Sequence, residues 1–299
     1  MATTHELLAK TSRTFALAIP LLPEPTQQTV CLSYLLFRIA DTLEDAEAWP
    51  RARRLQGLEE FAGLLDRPEP GEGRRLSQLW LAPPPTRHEA YLELLAATEQ
   101  VMGEVRDLAP GARTIALRHA RRTALGMRDI LANRSDAEGR VRVGDLQGLK
   151  DYCYVVAGIV GELLTEVFLH DAPGLDRVAG ALHENERAFG EGLQLVNILK
   201  DERDDAGDGR SYLPPGVPRS DVLKLAWSDL VRARRYLDAL RAGGAPPGFV
   251  AFGALSEELA EATLERLGRE GAGAKVSRAQ VFEILARVQR EAAEGVRRR

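Results

Sequence analysis

Residues 193–205 read Leu193-Gln194-Leu195-Val196-Asn197-Ile198-Leu199-Lys200-Asp201-Glu202-Arg203-Asp204-Asp205. The apolar residues of this stretch predict a helix that is mostly buried. Its polar residues recur at intervals of three or four, so one face of the helix carries two amides and two carboxylates: Gln194, Asn197, Asp201 and Asp205. A buried polar face costs free energy unless a partner satisfies it. Because the usual partner of carboxylates in a partly buried wall is a divalent metal ion, we expect such an ion against this face.

A second acidic cluster, Asp41-Thr42-Leu43-Glu44-Asp45, ends another apolar helical pattern. Asp41 and Asp45 lie four residues apart and therefore leave the same side of the helix, with Glu44 nearby. Taken alone, such a cluster is typical of a solvated helix end, and Arg38 would be an ordinary ion-pair partner one turn earlier. Two clusters with one spacing, both after strongly apolar turns, indicate instead two helices whose carboxylates face a common cavity.

Magnesium is the metal ion that suits these carboxylates. Mg²⁺ takes oxygen ligands, keeps several waters and commonly joins one or two carboxylates to the phosphates of a substrate. A substrate with a diphosphate leaving group therefore fits better than a bare metal site, and its departure needs nearby cations. The basic candidates are Arg13, Arg38, Lys200 and Arg210. The histidines and cysteines lack the spacing of a zinc site, and the chain has no glycine motif for nucleotide binding.

The composition predicts an all-α protein. Of the 299 residues, 44% are hydrophobic, 28% are charged and only 6% are aromatic, and no segment alternates as a strand does. We predict a single all-α domain over residues 1–299. Helices are predicted over about residues 26–46, 50–65, 76–80, 86–106, 111–133, 145–170, 175–205, 219–242, 247–268 and 277–296.

Charge and hydropathy exclude some classes of protein. The net charge of −4 leaves no broad basic surface, so nucleic acid is not an expected partner. No uninterrupted apolar run approaches the ~20 residues that span a bilayer, and residues 1–10 lack the apolar core of a signal peptide. Cys31 and Cys153 lie in apolar helical patterns, which indicates a reducing compartment without disulfides. We therefore expect a cytoplasmic protein that can still contact a membrane surface.

A third feature is an apolar segment rich in small residues, from Tyr152 to Gly161. Gly158 and Gly161, beside Ala157, allow another helix or a ligand to approach closely. Plain helix packing explains such a segment. Beside a diphosphate site it would also suit a long hydrocarbon tail, and carbocation chemistry would need a dry wall of this kind.

Four motifs occur in order along the chain. They are Ser12-Arg13-Thr14-Phe15; Tyr34 through Arg38 leading into Asp41-Thr42-Leu43-Glu44-Asp45; Tyr152-Cys153-Tyr154-x-Val156-Ala157-Gly158-x-Val160-Gly161; and Leu193-Gln194-Leu195-x-Asn197-Ile198-Leu199-x-Asp201 to Asp205, followed by Gly209-Arg210-x-Tyr212-Leu213-Pro214. Their order and spacing resemble the squalene/phytoene synthase family, the head-to-head prenyl transferases, over nearly the whole chain. The resemblance implies an all-α class I prenyl-synthase (terpenoid synthase) bundle around a central cavity. In that cavity two prenyl diphosphates would condense to a cyclopropyl diphosphate, which then rearranges.

The resemblance also implies roles for individual residues. The ligands of Mg²⁺ would be Asp41, Asp45, Asp201 and Asp205. Tyr152 is similar to the family's tyrosine near the first ionisation, and Phe15 with Phe252 would meet the carbocation. Residues implied to bind substrate are Ser12, Arg13, Tyr34, Arg38, Gln194, Asn197, Lys200 and Arg210.

The motifs look more like the squalene-forming branch of the family than the phytoene-forming branch, which more often has two adjacent aspartates at the start of the first acidic motif. The resemblance therefore implies condensation of two farnesyl diphosphates, through presqualene diphosphate, to squalene. NADPH would bind near Lys275 and Arg278.

Two departures keep alternatives open. Ser256 stands where the family usually has proline, and Lys200 where arginine is common. The alternatives are a phytoene synthase, a dehydrosqualene synthase, or an enzyme that stops at presqualene diphosphate. A non-catalytic relative and a terpene cyclase that uses one diphosphate fit less well, because both acidic clusters are intact and the four motifs are all present.

Overall fold

The computed structural model describes residues 2–207 and 210–297, with side chains as far as Gly295. Gly209, which belongs to the last motif, lies outside the described residues. Within them the regular structure is helical, and β-pairing is confined to two isolated bridges, Ser135–Val141 and Arg142–Ser211. The prediction of an all-α protein is confirmed.

The helices of the described chain follow the predicted ones closely. In chain order they are α1 (Thr4–Thr11), α2 (Phe15–Ala18), α3 (Thr26–Glu44), α4 (Arg51–Asp66), α5 (Glu72–Trp80), α6 (Glu89–Ala96), α7 (Thr98–Asp107), α8 (Pro110–Asn133), α9 (Leu146–Cys153), α10 (Ile159–Asp171), α11 (Ala179–Gly207), α12 (Arg219–Gly243), α13 (Pro247–Glu270) and α14 (Arg278–Arg297). Turns of 3₁₀-helix cover Ile19–Leu21 and Pro173–Val178, and a π-helical turn, Tyr154–Gly158, joins α9 to α10.

One predicted helix, over residues 86–106, is in fact two helices, α6 and α7. The N–H of Ala97 donates to the carbonyls of Glu93 and Leu94 at 3.0 and 3.1 Å, which tightens the last turn of α6 before α7 begins. The residues around the break are good helix formers, so nothing in their type marks it. The prediction of one continuous helix was wrong at this point.

The chain folds into two compact units, and the first comprises residues 1–16 and 25–141. Helix α3 is central to this unit and packs against α1, α4, α7 and α8. Its inward positions are fully buried: Leu32, Leu35, Leu36 and Ile39. Their helical spacing places them on one face, and burial of each such side chain contributes about 1.5–3 kcal/mol. The acidic motif lies at the end of this anchored helix.

The second unit comprises residues 17–24 and 142–299. Helix α11 runs through it and packs against α10, α12 and α13. A Cβ atom at Gly190 would lie 1.9 Å from the Ala157 carbonyl oxygen, and one at Gly161 would lie 1.9 Å from that of Glu186. The close approach predicted for Gly161 is therefore made by a helix, α11, whose backbone leaves room for no side chain. The assignment of residues 1–299 to one domain stays a prediction.

The stretch from α9 through the π-helical turn to α10 forms one apolar run, Leu146–Asp171. By length and composition it is the one helical stretch of the described residues that could cross a membrane, and 56% of its most apolar window is buried inside the protein. Core helices of soluble proteins satisfy the same two criteria. The run therefore carries no assignment to a membrane.

Candidate active site

The acidic motif of the first unit lies on the least buried stripe of α3. The residues of that stripe are Tyr34, Arg38, Asp41 and Asp45, and each is partly exposed, whereas their neighbours along the helix are mostly buried. Asp45 ends α3, and its N–H donates to the Asp41 carbonyl at 2.8 Å. Both aspartates that the spacing placed on one side of the helix are thus accessible to a ligand.

Arg38 is held by hydrogen bonds along the same stripe. Its Nη1 donates to Asp41 Oδ2 at 2.5 Å, and its Nε and Nη2 donate to the Tyr34 hydroxyl at 3.2 and 3.1 Å. The Tyr34 hydroxyl in turn donates to the Thr11 carbonyl at 2.9 Å, which ties α3 to α1. Burial works to lower the pKa of Arg38, but the Asp41 carboxylate and the Tyr34 phenol outweigh it, so the pKa is raised. The guanidinium therefore stays charged beside Asp41.

Glu44 faces the interior of the first unit. It is only 4% exposed, its Oε1 lies 3.8 Å from Arg54 Nη2, and its backbone carbonyl accepts a hydrogen bond from Arg54 Nε at 2.6 Å. Burial, and next the Asp45 carboxylate, raise the pKa of Glu44 well above its usual value despite Arg54. Glu44 therefore belongs to a buried contact between α3 and α4, and not to the accessible stripe.

The segment after α1 reaches the same stripe. Ser12 ends α1, and its Oγ accepts a hydrogen bond from the Phe15 N–H at 3.0 Å. The ring of Phe15 lies 5.4 Å from that of Tyr34. Arg13 is exposed. The structure thus brings Phe15 against Tyr34, which holds Arg38, and leaves Arg13 accessible in the same segment.

Tyr91, on α6, belongs to this cluster although no motif or spacing marks it in the sequence. Arg38 Cζ lies 5.6 Å from the centre of the Tyr91 ring and 5.6 Å from that of Tyr34, and the His88 ring stacks on Tyr91 at 4.0 Å. Burial raises the pKa of the Tyr91 phenol, with Arg38 opposing and Asp41 adding to the shift. Only the packing of α6 on α3 brings this tyrosine to the acidic motif.

In the second unit the polar face predicted for α11 is accessible. Asn197 is exposed, and the other polar residues of that face are half-buried: Gln194, Lys200, Asp201 and Asp205. The apolar residues between them are buried: Leu195, Val196, Ile198 and Leu199. The alternation read in residues 193–205 therefore describes one helix with a buried side and a polar side.

The cations of this second acidic motif are held by local contacts. Lys200 Nζ donates to Asn197 Oδ1 at 2.9 Å and lies 3.2 Å from Asp201 Oδ2. Arg210, beyond the end of α11, has its Nε 3.5 Å from Asp205 Oδ1, and its backbone N–H donates to the Asp205 carbonyl at 2.8 Å. Each aspartate of α11 in the motif therefore has a basic neighbour.

Tyr152 is buried against the segment that follows α11. It is 8% exposed, and its ring stacks on that of Tyr212 at 4.8 Å with an angle of 29°. Tyr212 also lines a small cavity of about 130 Å³ together with Asp205 and Arg210. Tyr212 thus contacts Tyr152 and also lies beside the acidic end of α11. The resemblance assigns no role to Tyr212.

Three other predicted site residues lie elsewhere in the second unit. Phe252 is 1% exposed and packs edge-on against Phe168 at 6.5 Å, inside the core of this unit. Lys275 Nζ lies 3.6 Å from Asp204 Oδ2, and both side chains are mostly exposed. Arg278 is the exposed first residue of α14. Roles for these three residues in catalysis or cofactor binding stay predictions.

The donor set of each acidic end determines which metal ion it suits. Among the described residues, no three His, Cys, Asp or Glu side chains lie close enough together to hold a metal ion by themselves. Each helix end offers two aspartates, with a cation beside them. Mg²⁺ fits such a set, because one or two carboxylates suffice when waters and phosphate oxygens supply the other ligands.

Sequence comparison identifies relatives of the chain. A profile described as "Squalene/phytoene synthase" matches residues 8–284. Squalene synthase of Mycosarcoma maydis is 29% identical over 215 residues, which are 72% of this chain and 35% of that protein. Squalene synthase of Homo sapiens is 28% identical over 225 residues, 75% of this chain and 49% of that protein. The chain spans about a third to a half of the length of these relatives.

Solved structures of similar fold are also found. A complex of TcSQS with the ligand BPH1237 has a TM-score of 0.76 at 22% identity and covers 98% of this chain and 87% of that one. Squalene synthase HpnC from Alicyclobacillus acidocaldarius has a TM-score of 0.55 at 19% identity and covers 90% of this chain and 92% of that one. These similarities confirm the predicted terpenoid-synthase fold. With the profile match over most of its length, the chain belongs to the squalene/phytoene synthase family.

Proposed function

We propose that the chain joins two farnesyl diphosphates head-to-head, through presqualene diphosphate, to form squalene. The observation that carries this proposal is the pair of acidic helix ends, each with two aspartates and a cation: Arg38 beside Asp41 on α3, and Lys200 beside Asp201 on α11. Membership of the family implies a prenyl transferase, and the squalene synthases among the relatives support the choice of reaction.

Mg²⁺ is the metal ion of this proposal. At the end of α3 the residues that would hold Mg²⁺ are Asp41 and Asp45, and at the end of α11 they are Asp201 and Asp205. When bound, Mg²⁺ neutralises the charge that develops on the leaving diphosphate.

The basic side chains beside these aspartates would bind the diphosphates. Arg38 suits this role because a guanidinium is always charged at neutral pH and its planar fork matches phosphate oxygens. Lys200 and Arg210 would act in the same way at the end of α11. The substrate-binding residues of the proposal further include Ser12, Arg13, Tyr34, Gln194 and Asn197.

The carbon skeleton would be built in two stages. Loss of diphosphate breaks the C1–O bond of one substrate, the double bond of the other substrate attacks the resulting allylic cation, and loss of one proton closes the cyclopropane. A second loss of diphosphate starts the rearrangement. Tyr152 would lie beside the first ionisation, and Phe15 and Phe252 would stabilise cations through their rings. These stages need a site from which water is excluded.

NADPH is the cofactor proposed for the reductive step. When bound, NADPH would supply the hydride of the reductive step. Lys275 and Arg278 would contact its phosphates, and both are accessible on the surface of the second unit.

The alternative functions are reactions that stop before the reduction or that use a longer prenyl diphosphate. Ser256, where the family usually has proline, is buried one turn after Phe252, and its Oγ donates to the Phe252 carbonyl at 3.3 Å. This departure lies one turn from Phe252, which is proposed to stabilise a carbocation. It favours as alternatives a dehydrosqualene or phytoene synthase, or an enzyme that releases presqualene diphosphate.

Product analysis by mass tests these functions against one another. Purified protein is incubated with Mg²⁺ and either farnesyl or geranylgeranyl diphosphate, with and without NADPH. We expect squalene from farnesyl diphosphate, and only when NADPH is present. If the only product were phytoene, formed from geranylgeranyl diphosphate, the substrate would be geranylgeranyl diphosphate and not farnesyl diphosphate. Dehydrosqualene or presqualene diphosphate despite NADPH would remove the reductive step, and no condensation product from either substrate would contradict the proposal altogether.

An apolar product also supports a peripheral contact with a membrane surface for release. Phe282 on α14 is 60% exposed and offers an apolar side chain for such a contact. We expect the protein to co-sediment with lipid vesicles and Phe282→Ser to reduce the bound fraction. No sedimentation of wild type with vesicles would contradict the contact, and equal bound fractions would exclude Phe282 from it. The cytoplasmic location stays a prediction.

A further inference from the structure

Tyr91 contacts the acidic end of α3 from a different helix. Helix α6 packs on both α1 and α3. Arg38 Cζ lies 5.6 Å from the centre of the Tyr91 ring, the same distance as from the Tyr34 ring. The guanidinium is therefore within cation–π range of two aromatic rings at once. An arginine in such a position has few alternative conformations.

The polar contacts of Arg38 alone do not fix it in this way. Its hydrogen bonds go to Tyr34 and Asp41, which both belong to α3 and lie within one turn of it. A long side chain bonded only along its own helix can still swing away from the surface. Tyr91 supplies a contact from a different helix, α6.

The Tyr91 ring is itself supported. The ring of His88 stacks on it, with the centres 4.0 Å apart and the planes at 20°. His88 directly precedes α6, and its N–H donates to Thr86 Oγ1 at 3.3 Å. Tyr91 is thus backed on one side by His88 and lies beside Arg38 on another.

We infer that Tyr91 is a positioning residue for diphosphate binding, whose ring holds the Arg38 guanidinium beside Asp41 in the orientation that receives phosphate oxygens. The inference rests on the proposed function, since it assumes that Arg38 binds diphosphate. An arginine that is already held loses less conformational freedom when the ligand arrives. The ring, and not the phenol hydroxyl, is the part that the contact requires.

Calorimetric titration of the full chain with pyrophosphate in excess Mg²⁺ tests the inference. The proteins are wild type, Tyr91→Leu, Tyr91→Phe and the control Asp238→Ala. Asp238 on α12 is a suitable control because its carboxylate pairs with an arginine, Arg241, at 2.8 Å and belongs to none of the four motifs. We expect Tyr91→Leu to bind about tenfold more weakly, and Tyr91→Phe and Asp238→Ala to stay within about twofold of wild type.

Kinetics with farnesyl diphosphate separate positioning from a general loss of structure. We expect Tyr91→Leu to raise KM more than it lowers kcat, with Tyr91→Phe restoring both. Should Tyr91→Leu fail to fold, Tyr91→Met, with a side chain of comparable length but no ring, takes its place.

The outcomes distinguish this inference from the proposed function. If wild type binds pyrophosphate and Tyr91→Leu binds equally well, the positioning role is overturned and the proposed function stands. If Tyr91→Phe is as weak as Tyr91→Leu, the hydroxyl and not the ring matters, which also overturns the role proposed here. If wild type does not bind pyrophosphate with Mg²⁺, both the inference and the proposed function fail.

Discussion

The acidic ends of α3 and α11 carry the same spacing of aspartates, yet they hold their cations differently. On α3, Arg38 bonds both Asp41 and a tyrosine, Tyr34, that is tied to the backbone of α1. On α11, Lys200 contacts Asn197 and Asp201 of its own helix. Arg38 is therefore preorganised with help from a neighbouring helix, whereas Lys200 on α11 can adjust when a ligand binds.

The end of α3 is also more firmly held by its surroundings than the end of α11. Glu44 anchors the end of α3 to Arg54 in the interior of the first unit. At the end of α11 the corresponding ion pair, Lys275 with Asp204, is exposed, with 57% and 75% of the side chains accessible. Exposed ion pairs contribute little to stability. Identical spacing in sequence has thus produced one braced end and one adaptable end.

The largest effect should come from removing an aspartate of either end. We expect Asp41→Ala and Asp201→Ala each to lower kcat/KM for farnesyl diphosphate by about 10²–10³-fold, because the charge on the leaving diphosphate loses its stabilisation. The rate of product formation, measured by mass, is the readout.

Asp238→Ala is the control for these variants. Asp238 on α12 is 70% exposed and pairs with Arg241 at 2.8 Å and the same three-residue spacing as Arg38 and Asp41. It should leave the rate unchanged. An Asp41 or Asp201 variant as active as this control would remove that helix end from the proposed site.

Exchange of the two cations should separate the braced end from the adaptable one. We expect Arg38→Lys to lower kcat/KM about tenfold, because an ammonium group cannot bond Asp41 and Tyr34 through a planar fork. Lys200→Arg should stay within about threefold of wild type, since its contacts are single hydrogen bonds that arginine can also make. Steady-state kinetics of both variants give the comparison. Equal losses would show that the two ends do not differ in preorganisation.

Much of this architecture could be predicted from the sequence because it depends on local periodicity. The positions of most helices, the polar face of α11 and the paired aspartates follow from intervals of three and four. Gly161 likewise predicted a close approach, and the backbone of α11 makes it. Such features need no knowledge of which elements are neighbours.

The features that escaped prediction depend on tertiary packing. Tyr91 reaches Arg38 only because α6 packs on α3, and nothing around Tyr91 in the sequence marks it. Glu44 is an acid like Asp41 and Asp45, but it leaves the helix on the buried side, where it lies beside Arg54. Its helical position could have indicated burial, whereas its partner could not be foreseen.

The smallest expected effect concerns an acid earlier on α11, and it changes stability instead of catalysis. Burial raises the pKa of Glu191 to about 7, with Arg187 opposing the shift and Asp229, whose own pKa is raised by burial to about 6, adding to it. The folded state therefore binds more protons than the unfolded state between about pH 4.5 and pH 7, so stability falls as pH rises through this window.

Glu191→Gln removes this acid and tests whether it makes stability fall as pH rises. Relative to wild type, we expect the free energy of unfolding to rise by about 1–2 kcal/mol at about pH 8 and to change little at about pH 5. Urea unfolding at both pH values is the measurement. A wild-type pH dependence that persists in the variant would show that Glu191 is not its source.

The affinity for pyrophosphate in excess Mg²⁺ tests most directly whether both acidic ends bind diphosphate. Calorimetry is carried out on wild type, Asp41→Asn, Asp201→Asn and the control Asp238→Asn. We predict that the first two variants each bind about tenfold or more weakly than wild type and that the control binds as wild type does. If either Asp41→Asn or Asp201→Asn bound pyrophosphate as tightly as wild type, the claim that both helices hold the diphosphate would be wrong.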